Sequence, residues 1–169
     1  IRNARGGNNP NIIQVAKDCE TFGAQGITVH PRPDERHIRY SDVYDLKKVV
    51  TTELNVEGYP SSSFMDLVLD VVPAQVTLVP DPPDALTSNT GWDTEKHLEF
   101  LSETIARLRG AGIRTSIFLN PDPSLMKYAK ETRTDRVELY TGDYADRFQE
   151  DKSLAIAAFK ETALEASKY

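Results

Sequence analysis

Two histidines and three arginines crowd into one stretch, GITVHPRPDERHIRYSD, which spans 26–42. An apolar run of Ile27, Thr28 and Val29 stops at His30, and Arg32, Arg36 and His37 follow at once. Histidine titrates near neutrality, so His30 has the side chain for taking and returning a proton at cellular pH. Arg32 carries the planar fork that holds a phosphate through two hydrogen bonds. Together they suggest acid–base work on an anionic substrate. The plainer readings are a histidine hydrogen-bonded at a strand end and a solvated loop arginine. Arg36 and His37 share that ambiguity, with Asp34 and Glu35 beside them as surface partners.

Glu57, in NVEGYP, ends a second apolar run. A carboxylate there loses hydration unless it is paired or used, and burial would raise its pKa toward that of a general base. A structural salt bridge to an arginine is the alternative. Other polar groups also follow apolar runs: VPD and then Thr87, Ser88, Asn89 and Gly91; Asn120; Glu138 and Tyr140. Arg5, in RNARGG, precedes the first helical segment. His30, Asp34, His37 and Glu57 are all metal-ligand types, yet no HExxH or paired-Asp spacing joins them, and no metal is expected. His97 falls among charged residues and reads as a surface position within a long helix.

The elements that must position these groups alternate. Strand-like runs cover Ile27–His30, Leu54–Glu57, Gln75–Val79, Thr115–Leu119 and Arg136–Tyr140. Their Val, Ile and Thr content suits strands buried on both faces of a parallel sheet. Helical patterns lie between them. Asn11–Phe22 places Ile12, Val15, Ala16 and Cys19 on one stripe, with Cys19 read as a buried, inert thiol. Ser41 can cap the next helix and the serines at 61–63 the third. Asp93 or Thr94 can open a long helix closed by Gly110, Asp122 with Pro123 starts another, and Ser153–Lys168 is an Ala-rich last helix.

Helix, then five strand–helix units, is an α/β pattern with right-handed crossovers. Either an open doubly wound sheet or part of a (β/α)8 barrel fits. No GxGxxG or GxxxxGK[ST] follows any strand, which disfavours a dinucleotide or P-loop fold. The chain has 169 residues, whereas a complete barrel takes about 250 and rarely fewer than roughly 200. The first residue is Ile1, so the chain reads as processed or as a fragment. The composition is acidic, with 20 Lys and Arg against 26 Asp and Glu. That argues against a broad nucleic-acid surface and leaves any anion site local. One cysteine excludes a disulfide framework. With no long apolar run and no signal-like start, the expected place is the cytoplasm.

The segments RNARGG, GITVHPRPDERHI with the following SDV, NVEGYP, QVTLVPD with LTSNTGWD, and RVELYTGDYAD occur together in order over essentially the whole chain. In this the sequence resembles the pyridoxine 5′-phosphate synthase family. The resemblance implies a (β/α)8 TIM barrel of which 1–169 is a single, incomplete domain carrying about strands two to six. It implies a transferase-type condensation of 1-deoxy-D-xylulose 5-phosphate with 3-amino-2-oxopropyl phosphate. The products are pyridoxine 5′-phosphate, phosphate and water. No cofactor or metal is implied, and the full-length enzymes are typically homo-octamers. His30 and Glu57 resemble the catalytic acid–base pair. Arg32, His37 and Thr87 resemble the deoxyxylulose phosphate contacts, Arg5 an aminoketone phosphate contact, and Asp81–Gly91 a segment that closes over the mouth. The family's first-strand segment and its later NAGH and GHA segments, the former with a second catalytic histidine, have no counterpart here. The fragment alone is therefore expected to be inactive. A non-catalytic phosphosugar-binding or assembly module on the same barrel is the competing class.

Overall fold

The computed structural model describes residues 7–81 and 90–169. Five parallel strands form one sheet: β1 (Gly26–Val29), β2 (Glu53–Gly58), β3 (Gln75–Leu78), β4 (Arg114–Leu119) and β5 (Arg136–Leu139). Their spatial order follows their sequence order. A doubly wound sheet reverses direction at a switch point, and this one does not. The sheet is a curled half-barrel, which decides between the two architectures the sequence left open.

Each strand is entered from a helix that covers one face. The helices are α1 (Ile12–Thr21), α2 (Tyr40–Val49), α3 (Ser62–Val71), α4 (Leu98–Gly110), α5 (Met126–Glu131), α6 (Gly142–Arg147) and α7 (Lys152–Ala166). The starts of α1, α3 and α7 are marked by side-chain caps. Asn11 accepts a hydrogen bond from the Gln14 amide at 3.2 Å, Ser61 one from Phe64 at 3.3 Å, and Asp151 one from Ser153 at 2.9 Å. Such caps satisfy amides that the first helical turn leaves without partners. Ser41 does not cap α2. The helix starts two residues earlier, with Arg39 at the cap and the Asp42 carboxylate accepting its amide at 2.7 Å. Asp93 holds the Lys96 amide at 3.0 Å and closes a separate turn, so α4 begins only at Leu98.

Burial on both faces, as expected, holds for β3 and most of β4, whereas β1, β2 and β5 are open on one face. Leu54, Val56, Val76, Leu78, Ile117 and Leu119 face the helices and are almost wholly buried, with Val68, Leu101, Ile105 and Leu108 packed behind them. Each contributes on the order of 1.5–3 kcal/mol of burial energy. The alternate residues, among them Thr28, Asn55, Glu57, Thr77, Ser116 and Glu138, line the inner, concave face. Only β3 in the centre is buried at all four positions. Much of the inner face is polar, with Phe118 beside Glu138 as an apolar member. Asn55 donates to Thr28 at 3.3 Å and accepts from Thr77 at 3.2 Å. At the amino ends of the strands, Arg114 grips Glu53 and Gln75, and Arg136 reaches the same Gln75 oxygen at 3.2 Å.

Cys19 is exposed, contrary to expectation. The α1 stripe faces the outer edge of β1, and of its apolar members only Ala16 is buried while Val15 stays 47% exposed. Among the described residues no helix is long and apolar enough to cross a membrane.

Candidate active site

The carboxyl ends of β1, β2 and β3 gather the site. Val29 of β1 pairs with Val56 of β2. One residue further along each strand stand His30 and Glu57, on strands spaced ~4.8 Å apart. Both follow a valine that faces the helices, so both turn to the concave face. The register thus sets His30 and Glu57 at matching positions on neighbouring strands.

His30, Arg32, Tyr40, Tyr59, Ser61 and Asp81 line a cavity of about 20 Å³, the size of one water molecule. The His30 ring is largely enclosed. Burial, and then the Arg32 guanidinium, depress its pKa below the usual histidine value, while Asp81 and then Asp34 push the other way. Its imidazole is therefore mainly neutral at pH 7 and able to accept a proton.

Arg32 is held near its Asp34 neighbour, Nε to carboxylate 3.7 Å, and Asp34 bonds more closely to Arg36 at 2.5 Å. Glu35 accepts the Tyr40 amide at 2.8 Å and so ties the loop to the start of α2. Asp34 thus does pair with arginine, whereas Glu35 serves the backbone. Arg32 remains at the cavity, and His37 lies exposed on the same loop.

Glu57 has no cation within salt-bridge distance among the described residues, so the structural salt bridge is not formed there. Burial first, and then the nearby Glu138 carboxylate, raise its pKa to about 7. Glu138 is itself raised by burial, although its position on the edge strand leaves it partly open to solvent. Two carboxyls that face each other on one surface resist ionising together. Glu138 was visible as a polar strand-end residue. Its link to Glu57 requires the sheet to curl β5 toward β2, which no local pattern reports.

On the far side of β3, Gly91 donates its amide to Asn120 at 2.8 Å, Trp92 donates to the Phe118 carbonyl at 2.8 Å, and Asn120 donates to Thr90 at 3.1 Å. Residues 90–92 are thereby laid against the end of β4. A β-carbon on Gly91 would sit 2.3 Å from the Leu119–Asn120 backbone, so only glycine fits. Trp92 is buried, donates to the Leu78 carbonyl at 3.1 Å and stacks on Tyr59, with His97 edge-on at 5.2 Å. His97 is therefore a half-buried aromatic contact just before α4, not a surface residue within it.

Of the six residues expected at the site, His30 and Arg32 line one cavity, Glu57 stands at the matching position on the neighbouring strand outside that cavity's lining, and His37 lies on the loop after His30. Arg5, Thr87 and most of the Asp81–Gly91 segment lie outside the described residues. Among those described, no group of three or more His, Cys, Asp or Glu is arranged to hold a metal ion.

The whole chain, residues 1–169, matches the family model described as pyridoxal phosphate biosynthesis protein PdxJ. It is 58% identical over 168 residues to the pyridoxine 5′-phosphate synthase of Bacteroides fragilis (strain YCH46), covering 99% of this chain and 71% of that protein. It is 61% identical over 163 residues to the protein of the same name from Parabacteroides distasonis, covering 96% and 68%. The Cytophaga hutchinsonii protein of that name is 57% identical over 166 residues, with 98% and 70% covered. Among solved structures the chain superposes on mandelate oxidase bound to 3,3-difluoro-2-hydroxy-3-phenylpropionic acid. The TM-score is 0.68 at 9% identity, covering 94% of this chain and 54% of that one. A structure titled "Native KDPGal structure" matches with TM-score 0.59 at 12% identity, covering 93% and 66%. At such identities these two speak for the fold alone.

Proposed function

The chain belongs to the PdxJ family of pyridoxal phosphate biosynthesis proteins, and from that membership we propose that it carries the His30–Glu57 part of a pyridoxine 5′-phosphate synthase active site. The reaction joins 1-deoxy-D-xylulose 5-phosphate to 3-amino-2-oxopropyl phosphate. Amine and carbonyl condense to an imine, carbon-bound protons are removed, water and phosphate leave, and the ring closes.

Each step moves a proton, and the two side chains suit different parts of that work. His30, kept neutral by burial and Arg32, accepts protons. Glu57, with a pKa of about 7, is divided between its two forms at neutral pH and can both take and return one. Arg32 holds the deoxyxylulose phosphate, with His37 and Thr87 as further contacts, and Arg5 serves the aminoketone phosphate. Anchoring two phosphates away from the reacting carbons lets binding energy hold those carbons together. The reading calls on no metal or organic cofactor.

The observation that supports this most is a histidine and a near-neutral carboxyl at matching positions on neighbouring strand ends, in a chain matched along its whole length. A non-catalytic phosphosugar module has no use for a carboxyl held near neutrality at the cost of its ionisation. By the same membership we read the chain as a single, incomplete barrel domain with strands two to six. We also read the protein as a cytoplasmic homo-oligomer, an octamer, acting on small phosphorylated substrates and not on nucleic acid or membranes.

The test is to supply the encoded protein with both substrates and follow pyridoxine 5′-phosphate and inorganic phosphate. One phosphate released per product is expected, with none of either from an H30Q variant. Product formation undiminished in H30Q would overturn the assignment.

A further inference from the structure

Nothing so far accounts for what holds the His30 ring. Asp81 follows β3 by three residues, in VPD, and is only 7% exposed. Aspartates are seldom that buried without a task. It lines the same small cavity as His30 and Arg32, entering from a different strand end. The charged groups facing His30 are Arg32 and Asp34 from its own loop and Asp81 from beyond β3, with the Tyr40 and Tyr59 phenols also at the cavity. Asp34 is engaged by Arg36 and Arg32, and of the two carboxylates Asp81 acts on His30 more strongly.

We propose that Asp81 is a positioning residue for His30: its carboxylate holds one imidazole nitrogen through a single water in the cavity, the nitrogen donating to the water and the water to the carboxylate, and leaves the other nitrogen's lone pair facing the substrate. A neutral imidazole has one donor and one acceptor nitrogen, and the partner of the donor decides which is which. The cavity volume matches one water, and a carboxylate and an imidazole supply the polar partners such a water requires. The role rests on the functional reading above, but the pairing itself does not.

Nitrogen NMR on the histidine-labelled protein reads the pairing without substrate, with the His30 signals assigned by their loss in H30Q. In the unaltered protein His30 should occupy one neutral tautomer. In Asp81→Asn its titration midpoint should fall, because the carboxylate that favoured the cation is gone. Asp81→Glu should return the midpoint toward its original value. In turnover, D81N should lose at least about tenfold in kcat, as expected when the wrong tautomer is admitted, while KM for each substrate stays within about twofold. An even mixture of tautomers in the unaltered protein, or a His30 titration unmoved in D81N, would overturn the proposal. If the unaltered enzyme forms no pyridoxine 5′-phosphate, the functional reading fails, and the NMR titration still decides whether Asp81 and His30 are paired.

Discussion

At the scale of residues, Glu57 makes the most definite prediction. Its folded pKa of about 7 lies above the ordinary carboxylate value of 4.5. The fold therefore favours the protonated form, and between those two values the native state binds more protons than the unfolded chain. Stability is full below about pH 4.5 and falls as pH rises to about 7. The loss is roughly 3 kcal/mol over the whole interval. Glu57→Gln removes that dependence, so the variant should be more stable than the wild type at pH 8 and nearly equal to it at pH 4, measured by denaturant melts. Arg32→Ala should raise KM for the deoxyxylulose phosphate by at least about tenfold with a smaller change in kcat, the signature of lost substrate binding. His30 and Glu57 were legible because a polar residue closing an apolar run stands out in one dimension. Asp81 did not stand out, since its burial depends on where the chain turns after β3.

At the scale of elements, caps and periods located most of the helices, and the differences have local causes. The stripe on α1 was read correctly as apolar, yet Val15 and Cys19 stay open because the stripe overhangs the edge of β1. His97 left its helix because Asp93 closes a turn before α4 can start. The strand segments are readable from composition, but which strands keep an open inner face is not: Thr77 and Ser116 on the central strands are buried, whereas Asn55 and Glu57 are half-buried and Glu138 is exposed. The join between residues 90–92 and β4 yields a test. Gly91→Ala must push the Leu119–Asn120 backbone aside and should cost about 1–3 kcal/mol in a thermal or denaturant melt. At the opposite end of the strands, Glu53→Gln removes a partner of Arg114 in a pair that is partly open to solvent. It should leave the denaturant midpoint nearly unmoved and turnover unaltered.

At the scale of the whole molecule, a sequential five-stranded sheet gathers its strand carboxyl ends on one rim, with the polar Arg114–Glu53–Gln75–Arg136 network at the other. This division of labour, chemistry at one end and cohesion at the other, is what a barrel provides. Five βα units were legible from periodicity, whereas the choice between an open and a curled sheet waited on strand order, which no single segment encodes. The central claim is that His30 and Glu57 together perform the proton transfers of pyridoxine 5′-phosphate formation. It is tested most directly by kcat/KM against pH for the encoded protein and its E57Q variant. With Glu57 as the base in its ionised form, activity of the unaltered protein should rise with pH through a midpoint near 7, following the Glu57 value. In E57Q that limb should vanish and the rate should fall by at least about a hundredfold. An acid limb that persists unchanged in E57Q, or a variant that turns over at the wild-type rate, would contradict the account.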